Sequence, residues 1–270
     1  MAKHPELALR VEPGSKPALH RFDCADTLGW EKDAAKAELD DVKARLDTLQ
    51  YRLAAEDRRS VLLVLQAMDA AGKDGTIRSI LSGMNPAGVD VVSFKAPGGP
   101  ETAHDYLWRV HAAAPARGRL GVFNRSHYED VLVVRVKSLV PPAVWKRRFD
   151  HINSFERLLV DEGTTIVKCF LHVSKDEQRR RLQARIDDPE KQWKFRAGDL
   201  DDRALWSDYQ RAYEDTIRRT STEHAPWHVV PADRNWVRNL AVAKLLLHTL
   251  EGLKPRLPPA DPAVVGRTVE

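Results

Sequence analysis

A continuous apolar run, Ser60-Val61-Leu62-Leu63-Val64-Leu65-Gln66, leads straight into Ala67-Met68-Asp69-Ala70-Ala71-Gly72-Lys73-Asp74-Gly75-Thr76. A strand that is apolar on both faces has to be covered on both faces, as in a parallel sheet clad with helices. The residues after it predict a turn that opens a helix, which is the setting a Walker-type phosphate loop requires. Backbone N–H groups at a helix start attract an anion, and the helix dipole adds to that attraction. Gly72 lets the backbone come close, and Lys73 can reach a phosphate. The match to GxxxxGK(S/T) is incomplete, because Ala67 replaces the first glycine and Asp74 stands where Ser or Thr would hold magnesium. Asp69 compensates by bringing a carboxylate into the loop, able to bind magnesium or orient an acceptor. The plainer reading of the same residues is a strand–turn–helix corner that needs Gly72 only for its backbone.

The rest of the chain alternates between the two periodicities. Helices are expected over 31–57, 72–84, 101–113, 128–136, 143–162, 175–187, 199–222 and 234–253, and further strands over 89–94, 120–123, 164–172 and 227–230. Strands separated by helices imply a mostly parallel sheet with helices on both sides. Pro5, Pro13, Gly14 and Pro17 suggest an extended arm over 1–29, and Pro255, Pro258, Pro259 and Pro262 a loose tail over 255–270. A single domain lies between them.

The 270 residues, 43% hydrophobic and 30% charged, can build a sizeable core, and a net charge of +4 does not call for a nucleic-acid partner. Two cysteines, Cys24 and Cys169, are too few and too far apart for a disulfide framework or a zinc site, and Cys169 reads as a small buried hydrophobe. No apolar run is long enough to cross a bilayer, and 1–13 lacks the apolar stretch of a signal peptide, so no membrane partner and a cytoplasmic location are expected. His104, His111, His127 and His151 share no metal-ligand spacing, and Ser126 lacks the glycine-flanked turn of a hydrolase nucleophile.

Four ordered segments carry a family resemblance. Met68-Asp69-Ala70-Ala71-Gly72-Lys73-Asp74-Gly75-Thr76 resembles the Walker A loop of the polyphosphate kinase 2 family, which likewise holds an aspartate inside the loop. Ser93-Phe94-Lys95-Ala96-Pro97 resembles the family's second strand and turn, and Phe123-Asn124-Arg125-Ser126-His127-Tyr128-Glu129-Asp130 its Walker B segment. Arg185-Ile186-Asp187-Asp188-Pro189-Glu190-Lys191-Gln192-Trp193-Lys194 resembles its lid. The resemblance spans about residues 20–254. It implies a three-layer α/β P-loop fold with a helical lid near 175–200, and a magnesium-dependent transfer of phosphoryl groups between inorganic polyphosphate and AMP, ADP or ATP by a homo-oligomer.

Within that reading Lys73 and Arg125 stabilise the transferring group, Asp69 organises metal or acceptor, and Arg185 closes from the lid. Ala70, Ala71, Gly72, Asp74, Gly75, Thr76, Asn124, Glu129, Arg181, Lys191 and Lys194 are the further substrate-contacting candidates. Asn124 departs from the family's usual aspartate, which shifts metal binding onto Asp69. Glu129 falls where members restricted to diphosphates carry asparagine, which resembles the subgroup that accepts both AMP and ADP. Eight basic residues between Lys175 and Arg196 provide repeated positive charge for a polyanion, and Arg181 and Arg185 share a helix face. Trp193 either stacks on a base or anchors the lid to the core, with anchoring the expected role, and Trp145-Lys146-Arg147-Arg148 either lengthens the polyanion track or is a solvated helix face. Two rivals remain: a P-loop kinase using ATP on a nucleotide or small metabolite, and a non-catalytic sensor, for which Asn124 speaks.

Overall fold

The computed structural model of the chain describes residues 9–269, so the arm's residues 1–8 and the tail's residue 270 lie outside the described residues. One six-stranded sheet is built from β1 (Leu9–Val11), β2 (Ser60–Gln66), β3 (Val89–Ser93), β4 (Leu120–Asn124), β5 (Thr164–His172) and β6 (Trp227–Pro231), in the order β1-β6-β5-β2-β4-β3. Strands β2 to β6 are parallel to their neighbours, and only β1 runs antiparallel, along β6. The arm therefore contributes an edge strand that its proline-rich composition did not announce. Every residue of β2 is buried, as a strand clad on both sides requires.

The helices are α1 (Lys32–Glu56), α2 (Lys73–Leu81), α3 (Trp108–Ala112), α4 (Val133–Val136), α5 (Pro142–Asp161), α6 (Lys175–Asp187), α7 (Gly198–Ala204), α8 (Trp206–Thr220) and α9 (Asn235–Leu253). Helix α9 packs on α1, α2, β5 and β6, while α5 packs on β5 and α8, which gives three layers. Among the described residues no helix is long and apolar enough to cross a membrane.

Three expected helices are broken. The one over 101–113 becomes a 3-10 turn at Gly99–Ala103 followed by α3, because the Asp105 carboxylate takes the Leu107 N–H at 2.9 Å in place of a helical carbonyl. The one over 128–136 splits into a 3-10 turn at His127–Asp130 and α4, with Ser126 Oγ accepting the Tyr128 N–H. The one over 199–222 is interrupted at Leu205, where ψ reaches 18°.

Under the segment that follows β4, the core holds a buried polar network. Lys168 Nζ donates to Glu156 Oε2 at 2.6 Å, to the Tyr128 hydroxyl at 2.9 Å and to the Thr220 carbonyl at 2.6 Å. Burial works against the Glu156 carboxylate, but Lys168 holds it below its usual range. Paired and fully hydrogen-bonded, these charges anchor Tyr128 and with it the turn that carries Glu129.

Candidate active site

The carboxyl ends of β2 and β4 meet where the strand order reverses, and the loop 67–72 lies across them. Gly72 caps α2 with φ at +103°, and Ala70 is also left-handed at +60°. Lys73, the first residue of α2, folds back so that Nζ donates to the Ala67 carbonyl at 3.0 Å. Burial, followed by the repulsion of Arg125, lowers its ammonium pKa to about 8. A desolvated ammonium with a single neutral acceptor is poised to exchange that acceptor for a phosphate oxygen.

Arg125, directly after β4, holds a left-handed φ of +62°, and its N–H bonds the Leu65 carbonyl at 3.1 Å, fastening it to β2. Its guanidinium lies 2.6 Å from Asp69 and 3.6 Å from Glu129. Burial opposes its charge, but Glu129 and Asp69 together raise its pKa well above the ordinary value. Gln66, at the end of β2, donates to Glu129 Oε1 at 3.2 Å, so Glu129 belongs to the site and is no solvated surface charge. Tyr209 and Tyr213 of α8 close this side, their phenols pushed up by burial and by the neighbouring carboxylates.

Asn124 is oriented by α2 and β3: its amide donates to Asp74 Oδ1 at 2.6 Å and to Ser93 Oγ at 3.3 Å. An aspartate there would face Asp74 across the same gap, and two carboxylates so close need a proton or cation between them. The amide removes that requirement and ties α2 to β3 and β4.

Several candidates sit elsewhere than expected. Arg181 does not face the open site. Its Nε–H bonds Glu177, Nη1 the Ala70 and Ala71 carbonyls at 3.1 and 3.0 Å, and Nη2 the Ala232 and Asp233 carbonyls at 2.7 and 2.9 Å. All five of its N–H groups are thereby spent. Thr76 and Gly75 also turn underneath, Thr76 Oγ1 bonding the Gly72 carbonyl and Asn239 at 3.2 Å each, and Gly75 facing Arg238. Ala71 is fully buried, and its N–H closes a turn on the Met68 carbonyl at 3.3 Å.

In the lid, Arg185 lies 3.9 Å from Asp199, whose carboxyl is raised by burial and by the nearby Asp69. Lys191 pairs with Asp188 in solvent, and Lys194 rests over the Trp193 ring at 5.1 Å. Trp193 itself is 77% exposed and anchors nothing in the core, since the 3-10 turn at Gln192–Lys194 holds it outside the packed layers. Residues that the sequence reading passed over are Gln66, Gln178, Asp199, Tyr209, Tyr213 and Arg238. Arg238 had a signal: a lone cation on the apolar face of α9, with no carboxylate one turn away.

Among the described residues no three His, Cys, Asp or Glu side chains gather as a metal cage. Magnesium needs none, since it is commonly held by one or two carboxylates while phosphates and water complete its shell. Asp69, at the mouth of the loop, fits that demand.

A sheet switched at β2, a phosphate loop with its lysine, and an arginine–carboxylate cluster at the strand ends define a P-loop phosphotransferase. The family model described as polyphosphate kinase 2 (PPK2) matches residues 29–258. An AMP/ADP-polyphosphate phosphotransferase of Meiothermus ruber is 59% identical over 256 residues, covering 94% of this chain and 96% of that protein. An ADP-polyphosphate phosphotransferase of Rhodopseudomonas palustris is 50% identical, covering 81% and 80% respectively. The crystal structure of polyphosphate kinase 2 from Arthrobacter aurescens superposes with a TM-score of 0.90 at 48% identity, covering 94% of this chain and 91% of that one. The chain belongs to the polyphosphate kinase 2 family.

Proposed function

We propose that the enzyme transfers the terminal phosphoryl group between inorganic polyphosphate and AMP or ADP. The observation that carries this reading is the convergence of Lys73, Asp69, Arg125 and Glu129 at the ends of β2 and β4, where Arg125 pairs with both carboxylates and all three groups act on the Lys73 ammonium. In the direction of nucleotide synthesis, a phosphate oxygen of AMP or ADP attacks the terminal phosphorus of the chain. The bond from that phosphorus to the bridging oxygen breaks, and the shortened polyphosphate keeps the oxygen with its electron pair. Such transfer asks the protein mainly for positioning and charge neutralisation. Lys73 leaves the Ala67 carbonyl for the moving group, and Arg125 clamps it with the two-pronged geometry suited to phosphate. Arg185 approaches from the lid. Magnesium, held by Asp69, would supply further neutralisation of the phosphate oxygens.

Glu129 is the proposed basis for accepting AMP as well as ADP, held in place by Gln66 and Arg125. The name of the Meiothermus ruber relative supports this breadth. The same reading carries a homo-oligomer in the cytoplasm, acting on neither nucleic acid nor membrane; sedimentation and cell fractionation would check the first two points.

The test offers long-chain polyphosphate and magnesium to the purified protein with AMP or ADP in separate reactions, and follows ADP and ATP by chromatography. Products from both acceptors, lost in Lys73→Ala, are expected. Turnover only with ATP as donor would instead make the chain an ATP-dependent kinase, and no turnover with any donor would leave a binding protein. A Glu129→Asn variant that changes the AMP and ADP rates equally would remove Glu129 from the specificity account.

A further inference from the structure

Three successive carbonyls of the loop are taken by side chains that reach it from below. Gln178 Nε2 donates to Asp69 O at 3.0 Å, Arg181 to Ala70 O and Ala71 O, and Arg238 Nη1 to Ala71 O at 2.9 Å. Because a trans peptide sets C=O and the following N–H in opposite directions, pulling these carbonyls down turns the N–H groups of Ala70, Ala71 and Gly72 upward. The Ala71 N–H closes on Met68, whereas those of Ala70 and Gly72 have no hydrogen-bond partner among the described residues.

Arg238 is the unusual member. It is 4% exposed, and its remaining bonds run from Nε and Nη2 to Asn239 Oδ1, at 3.2 and 2.9 Å. Among the described residues no carboxylate pairs with it. Burial, followed by the repulsion of Arg181, lowers its pKa to about 10, which leaves it charged at neutral pH. An unpaired buried cation costs stability, so a fold selected for stability alone would not keep one here. Gly72 is favoured by its own φ, and a Cβ there would lie 2.0 Å from Arg238 Nη1 and so would displace the guanidinium from the Ala71 carbonyl. Asn239 extends the contact to α2 by accepting from Thr76 Oγ1 at 3.2 Å.

We infer that Arg238 is a positioning residue for phosphoryl transfer: it fixes the Ala71–Gly72 peptide so that the loop N–H groups aim at the bound phosphate, and its unpaired charge adds to the positive field there. It touches neither substrate nor reacting atoms and acts through the loop. The inference rests on the function proposed above.

The experiment compares wild-type enzyme with Arg238→Met, which keeps the bulk and removes both charge and donors. Wild-type turnover from polyphosphate is measured in parallel, so its absence would count against the proposed function and not against this role. The melting temperature of Arg238→Met is expected to equal or exceed that of wild type, because a buried cation has been removed. Its kcat is expected to fall about 10²-fold, since misplacing groups by an ångström costs that much, while the KM for ADP stays within about threefold of wild type. A purely structural residue predicts the reverse, lost stability with unaltered kcat in the folded fraction, and that result would overturn the inference. Should Arg238→Met fail to fold, Arg238→Lys decides. It keeps charge and stem but lacks the guanidinium fork, and an unchanged kcat in that variant would refute the role. A fall of roughly tenfold or more at an unchanged melting temperature would support it.

Discussion

Beneath the phosphate loop, Arg181 and Arg238 are withdrawn from water and spend their donors on backbone carbonyls, Glu177 and Asn239, whereas in the lid Lys191 and Lys194 stand in solvent beside Asp188 and Trp193. Both regions are basic, yet they use charge differently. Buried donors with fixed geometry organise a loop whose N–H groups must be in place before the phosphate arrives. Under the proposed function, exposed lysines at the two ends of a short 3-10 turn would attract a polyanion from a distance, and the loss of any one of them would cost little, because salt screens them and their partners are loose.

The largest effect should come from the fixed side. Arg125→Ala is expected to lower kcat by about 10³-fold, the range seen when a preorganised charge-stabilising group is removed. A loss below tenfold in steady-state kinetics would place that stabilisation elsewhere. Arg185→Ala belongs to the boundary between the regions, since Arg185 approaches Asp199 and through it Asp69. A loss of roughly 10²-fold in kcat would group it with the loop, and a change confined to the polyphosphate KM would group it with the lid.

The pH dependence gives an intermediate effect. The free enzyme's Lys73 titrates near 8, so it is charged below that pH and loses its proton above it. Bound polyanion favours the charged form. The KM for polyphosphate should therefore rise as pH climbs past about 8, by up to about tenfold per pH unit. Lys73→Arg should lose this limb whatever its rate, because a guanidinium does not titrate in that range. The smallest effect is expected from Lys191→Ala: about a twofold to threefold rise in polyphosphate KM at low salt, fading at high salt. A salt-independent tenfold rise would show that the lid holds its ligand as tightly as the loop does.

Much of this was readable from local pattern. The run 60–66 reads as a strand covered on both faces, and its abrupt passage into Gly72-Lys73 points to the loop, because both signals depend on neighbours along the chain. Strand 164–172 and helix 175–187 are legible at their observed bounds for the same reason. Local pattern failed where a side chain took a backbone bond, as Asp105 does in breaking the helix expected over 101–113.

It failed more instructively at the basic residues of α6. Sequence spacing places Arg181 and Arg185 on one helix face, but it does not say what that face meets. The packing of α6 against the loop and the β6–α9 turn turned Arg181 into a brace for backbone carbonyls and left Arg185 near the cleft. Arg238 lies 166 residues beyond Gly72 in the chain, yet its guanidinium occupies the space a side chain there would take. The loop, its lysine and the covered strand follow from neighbouring residues. Which cations face the phosphate and which hold the loop from behind follows from the sheet order that brings α6 and α9 beneath it, because a guanidinium's partners are chosen by what burial leaves within reach.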